Sequence, residues 1–246
     1  MSTAAAVKLQ IQTIGAGFMF SREAKAFGAS TGVTTFLGPY TRGRGGVLGD
    51  VDADVVTSAF GFFPAETVRS AWDSLDMPAE KAAIAYLGVC QDFGRRKLGG
   101  FDGAGRLAEL LAPVVAAADP AGAALFAGWR ALPWAADDPA RAMQLIHVMR
   151  ELRGGLHLLA VRAAGLTPQQ AVLIGGSPRN SGADQARAFG WPEPYQEITP
   201  ELRQRWDAAE ATTDELIGPA FAVLDEKQGA ELAELLTTAQ GLVYSR

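Results

Sequence analysis

PARAMQLIHVMRELRGGLHLLAVRAA, residues 139–164, is the stretch whose reading decides the fold. Wound as a helix at about 100° per residue, it sorts its side chains onto two arcs. Leu145, Val148, Met149, Leu152, Leu156, Leu159, Ala160 and Ala163 share one wide apolar arc, the mark of a core-facing helix. Met143, His147, Arg150, Gly154, His157 and Val161 share a second arc roughly opposite. The stretch opens on Asp138-Pro139, and a proline costs nothing in the first turn of a helix, where its missing N–H would have no partner.

The same start signal recurs. Met77-Pro78, Asp119-Pro120, Thr167-Pro168 and Thr199-Pro200 each precede helix-forming sequence, and Asp and Thr are good N-caps. Further helices are predicted after Asp52, from Pro64, from Arg106, after Ser181 (a capping pattern with Asp184) and over GAELAELLTTAQGL at 229–242. Alternation of apolar and polar residues, the strand pattern, appears only in VKLQIQT at 7–13. The chain is therefore predicted to be all-α, a multi-helix bundle of eight to eleven helices. Two segments rich in glycine and proline read as looser, FLGPYTRGRGGVLGD at 36–50 and GGSPRNSGADQARAFGWPEPYQE at 175–197. Neither reads as a linker, so an N-terminal part (1–135) and a C-terminal part (136–246) are expected to form one compact unit.

Composition narrows the function classes. With 48% apolar and 20% charged residues, the chain is ordinary for a globular protein. No run approaches the ~18 consecutive apolar residues of a spanning helix, and MSTAAAVKLQIQT lacks the pattern of a secretory signal. A single cysteine, Cys90, sits on an apolar helical pattern and reads as buried and structural, which fits a reducing cytoplasm. A net charge of −5 argues against a nucleic-acid surface.

The chemistry-bearing residues are few. His147 and His157, the two histidines, are ten residues apart, about 15 Å along one helix, whereas two ligands of one metal must lie within about 4 Å of each other. No metal site and no cofactor are expected. The loop IGGSPRNSG at 174–182 lacks the lysine of a phosphate-binding loop. On the long helix, Gly154 and Gly155 cost roughly 1 kcal/mol each relative to alanine, so the second arc reads as more than solvated surface. It is either a close packing of helices or a notch for a ligand. Phe60, Phe62, Phe63 and Trp72 form an aromatic group, to which GPYTRGRGG adds Tyr40, Arg42 and Arg44 as groups that could orient a ligand. The expected ligand contacts are Tyr40, Arg42, Phe62, His147, Arg150 and Gly154. His157 and Glu151 are the acid–base candidates, Glu151 on the supposition that half-burial tunes its carboxyl upward.

From Phe18 to Leu242 the chain resembles an actinobacterial family of helix-turn-helix proteins of the MarR-like, winged-helix type. The resemblance is carried by SREAKAFGA, RGRGGVLGDVDADVVTSAFGFFP, WRALPWAADDP, RELRGGLHLLAVRAAGLT and ATTDEL. Arg153, Gly154 and His157 match the family's pattern, and Leu152 stands where a second histidine is usual. The resemblance implies a fold rather than an activity. It also implies a recognition helix and a wing after Gly190-Trp191, but PEPYQEI leads there directly to Thr199-Pro200, and seven acidic-leaning residues hold neither. At most a degenerate winged-helix remnant is expected near 165–215, and DNA is not expected as a partner. The reading is a cytoplasmic small-molecule-binding protein, or an enzyme acting on an apolar, ring-containing metabolite in natural-product metabolism. The alternatives are a ligand-responsive regulator and a homodimeric interaction protein whose Gly154-Gly155 notch packs on another helix.

Overall fold

The computed structural model describes residues 2–177 and 180–245. Among them there are only helices and connecting turns, and no strand. In chain order the α-helices are α1 (Thr3–Gly17), α2 (Arg22–Ser30), α3 (Leu37–Gly45), α4 (Ala53–Phe60), α5 (Ala65–Asp73), α6 (Ala79–Leu98) and α7 (Ala104–Ala117). They continue with α8 (Ala124–Ala131), α9 (Asp138–Ala163), α10 (Pro168–Gly175), α11 (Gly182–Phe189), α12 (Pro200–Phe221) and α13 (Glu226–Tyr244). The all-α expectation holds, but thirteen helices exceed the eight to eleven predicted. The excess lies in the first fifty residues.

α1 covers the segment whose alternation suggested a strand. Ala4, Val7, Ile11 and Ile14 are buried, a spacing of three and four that only a helix places on one face, while Leu9 is 57% exposed. α3 covers a segment whose glycines suggested looseness. Those glycines instead admit close neighbours: a Cβ on Gly43 would lie 2.6 Å from Cγ of Tyr86, and one on Gly46 would collide with the carbonyl of Ala79. α3 can lie against α6 only because these side chains are absent.

Several predicted starts are confirmed by their caps. The side chains of Asp52, Thr167 and Thr199 accept from backbone N–H groups of the helices they precede, and Thr167 and Gln170 form a complete capping box. Asp137, rather than Asp138, caps α9. Asp119-Pro120 opens no helix. There Asp119 closes a turn by accepting from Ala121 N at 2.9 Å, Gly122 has φ of +77°, and α8 starts only at Ala124.

α9 is the axis of the molecule, with α1, α6, α7, α8 and α12 all packed on it. The two-arc reading is corrected by this surround. Met143, His147 and Val161 on the second arc are fully buried, whereas Leu159 on the supposed core arc is 46% exposed. One continuous apolar core runs from Ala4 to Val243, and the helices before and after residue 136 share it. A smaller cluster of Ala160, Val161, Leu166, Ala171, Leu202 and Ala209 joins the end of α9 to α10 and α12. No helix among the described residues is long and apolar enough to cross a membrane.

Candidate functional site

Glu151 and His157 lie on successive turns of α9 but face different neighbours. Glu151 is buried and takes a two-pronged contact from Arg44, Nε to Oε1 at 3.0 Å and Nη2 to Oε2 at 2.7 Å. Arg44 also donates to the Tyr40 hydroxyl at 3.0 Å, and Arg150 donates to Glu151 Oε1 at 2.7 Å. Burial alone would raise the Glu151 carboxyl, but Arg44 and Arg150 outweigh it and hold the group well below the ordinary range. The supposed upward tuning is therefore reversed: Glu151 stays ionised, with both oxygens engaged.

Arg42 is absent from this cluster. It donates to the Met77 carbonyl at 2.7 Å, pairs with Asp50 at 2.6 Å and stacks over Trp72. Two residues apart on a helix, Arg42 and Arg44 point about 200° apart, and only Arg44 shares a face with Tyr40, four residues earlier.

His147 is fully buried, edge-on to Phe18 and Trp129 with centroids at 4.9 and 4.4 Å. Its Nδ1 lies 3.2 Å from the Gly15 carbonyl, which can only accept, so Nδ1 carries the proton. Nε2 has no partner and lies 3.8 Å from Glu151 Oε1. Burial lowers this imidazole to about 3, so it stays neutral and acts as part of the core.

His157 occupies a different setting, between Phe62 (centroids 5.8 Å apart, nearly parallel) and Trp206 (5.0 Å, edge-on). The Thr213 hydroxyl donates to the Ala209 carbonyl at 2.6 Å, so it accepts from His157 Nδ1 at 2.9 Å. Among the described residues Nε2 makes no hydrogen bond and is left as an acceptor on a side chain 12% exposed. Beside it, Arg153 reaches Asp214 at 2.7 Å and Glu210 at 2.8 Å, and Lys8 reaches the same two carboxylates, so the network ties α1 and α9 to α12. Burial lowers His157 to about 4, against the opposing pull of Glu210.

The glycine pair is divided. A Cβ on Gly155 would lie 2.8 Å from Cα and Cβ of Ala123, so that half of the notch is filled by the chain itself. A Cβ on Gly154 would meet nothing within 4 Å. Gly154 thus leaves open space one turn after Arg150 and one turn before His157. Thr213, Glu210, Asp214 and Trp206 were not singled out from the sequence. Their spacing of three and four along α12 puts them on one face, the signal that marks them in retrospect.

In the helix-turn-helix region, α10 and α11 pack on each other, and 190–199 holds neither helix nor strand. Phe189 at the end of α11 stacks on Phe63 at 4.0 Å, and Trp191 Nε1 donates to the Phe62 carbonyl at 3.0 Å. Part of the loop between α10 and α11, residues 178 and 179, lies outside the described residues. A profile of a helix-turn-helix family matches residues 4–245, nearly the whole chain. The chain belongs to this helix-turn-helix family. No curated protein and no solved structure matches it.

Proposed function

We propose that this member of the helix-turn-helix family binds a small, ring-containing molecule at the notch beside His157. The observation that carries the reading is the open space at Gly154 on a helix otherwise packed by six others. An alanine there would stabilise the helix by roughly 1 kcal/mol, so the glycine has a cost that nothing in the packing explains. A ring entering the notch meets the Phe62–His157 pair, and a hydroxyl on it has a neutral acceptor in His157 Nε2. Acid–base chemistry at neutral pH has no support from Glu151, which is held ionised between two guanidinium groups.

A thermal-shift screen of neutral phenols, with 2-naphthol as the first probe, tests the reading on wild type, Gly154→Leu and His157→Phe. The leucine side chain of the first variant starts into open space and fills the notch. Both variants are therefore expected to fold and to lose the stabilisation by ligand. Equal shifts in all three proteins would remove the notch from the site.

The family's helix-turn-helix description favours a second reading, a regulator that contacts DNA through α11. Against it, Arg187, the one cation of α11, is neutralised by Asp184 at 2.9 Å and Glu193 at 2.8 Å, so among the described residues of that helix no surplus cation is left for phosphate. Salt-dependent binding to duplex DNA, weakened by Arg187→Ala, would favour the regulator.

A further inference from the structure

We infer that the outer seam between α7 and α9 is a second binding site, for a ring-bearing monocarboxylate. A cleft of about 420 Å³ lies there, floored by Ala112 and Val115 of α7 and Leu145 of α9. That volume falls within the roughly 300–1,000 Å³ of small-molecule sites. Its rim carries Arg130, Trp134 and Arg141, and no acidic side chain lines it.

Each rim residue has a distinct use. Trp134 is 37% exposed and offers a flat apolar wall. Arg130 is held by its Nη1, which donates to the Ala118 carbonyl at 2.8 Å, and by stacking on Phe126 at 4.8 Å, so its position is set in advance. Arg141 is exposed in the first turns of α9 and, among the described residues, has no carboxylate or carbonyl partner. Every other arginine named in the networks above is engaged by an acceptor of the chain. A planar guanidinium without a partner, at the mouth of an apolar cleft, matches a carboxylate with two parallel N–H···O contacts.

The neighbouring lobe sets the polarity. Past Ala112 and Arg141 the cleft continues into about 180 Å³ lined by Glu109 and Asp138. A ligand with a second carboxylate at its far end would meet these acids. The site therefore selects a single negative charge, held between Arg130 and Arg141, with the ring against Trp134. This chemistry differs from that of the His157 notch, which offers a neutral acceptor and no free cation.

Ligand-observed NMR titration of 2-naphthoate against the full chain tests the inference, with 2-naphthol titrated into Gly154→Leu, where the notch is filled, as the uncharged control. In wild type, 2-naphthoate is expected to bind more tightly at low than at high salt. Arg141→Gln and Trp134→Leu, both on the surface, should weaken it about fivefold or more, with unchanged circular dichroism. Gly154→Leu and His157→Phe should leave naphthoate binding as it is, which separates this site from the notch. Absence of naphthoate binding to wild type, or affinity unchanged in both Arg141→Gln and Trp134→Leu, would overturn the inference.

Discussion

Arg44 and Glu151, 107 residues apart in the chain, meet in the core through two parallel hydrogen bonds of 3.0 and 2.7 Å. This pair fastens α3 to α9 where both are buried. The backbone of Arg44 is held as well, its carbonyl accepting from Trp129 Nε1 at 3.1 Å. Attraction between such charges only offsets the cost of dehydrating them, so the pair makes the docking specific more than it makes it strong.

Removing one partner is therefore expected to be costly. Glu151→Leu leaves Arg44 buried without its carboxylate and should destabilise the fold by about 3–5 kcal/mol. The double variant Arg44→Met with Glu151→Leu should recover much of that loss. Urea denaturation of the three proteins checks this, and equal stability of the single and double variants would contradict it.

The histidines set an acid limit. Burial lowers His147 from 6.5 to about 3 and His157 from 6.5 to about 4. The unfolded chain takes up these protons near pH 6.5, and the folded chain only below 4. Stability is thus complete above pH 6.5 and falls as the pH drops from there toward 4, at up to about 1.4 kcal/mol per pH unit for each histidine. Glu151 and Glu23, whose folded values are also lowered, add their own losses only from about one pH unit above their ordinary value of 4.5 downward. Unfolding free energies measured from pH 7 to about 5.5 therefore isolate the histidines. The slope in His147→Gln should be shallower, and an unchanged slope would exclude His147 as a source.

The two adjacent glycines should respond with opposite sign. Gly154→Ala gains helix propensity and meets nothing, so stability should rise by about 1 kcal/mol. Gly155→Ala forces a methyl to within 2.8 Å of Ala123 and should lower stability. Chemical denaturation of both variants decides it, and a gain in both would mean that α9 and Ala123 are not in contact.

Both histidines should carry their proton on Nδ1, because the Gly15 carbonyl and the Thr213 hydroxyl, already committed to Ala209, act as acceptors. Nitrogen-15 spectra of the imidazoles report this directly. Thr213→Val should leave the His147 signal in place and disturb that of His157, at a cost of about 1 kcal/mol.

The long helices were legible because their signals are local. A cap such as Thr199 of α12, or the apolar spacing of α9, acts within one or two turns. α3 was not legible, since the value of Gly43 and Gly46 lies in Tyr86 and Ala79 of another helix. In the candidate site, the grouping of His157 with Phe62 could not be read from residues 95 positions apart, nor could the choice of Arg44 over Arg42 as the partner of Glu151. Helix rise alone, about 15 Å over ten residues, argued against a shared metal for His147 and His157.

By itself, then, the sequence determined that the chain is helical and where most of its helices start, because caps, prolines and apolar periods act on neighbours in the chain. Only the tertiary structure decided which faces are buried. α9 is enclosed by six helices, so the polar arc read from its sequence became core, with one gap at Gly154. Burial depends on what packs against a surface, and that is a property of the whole fold.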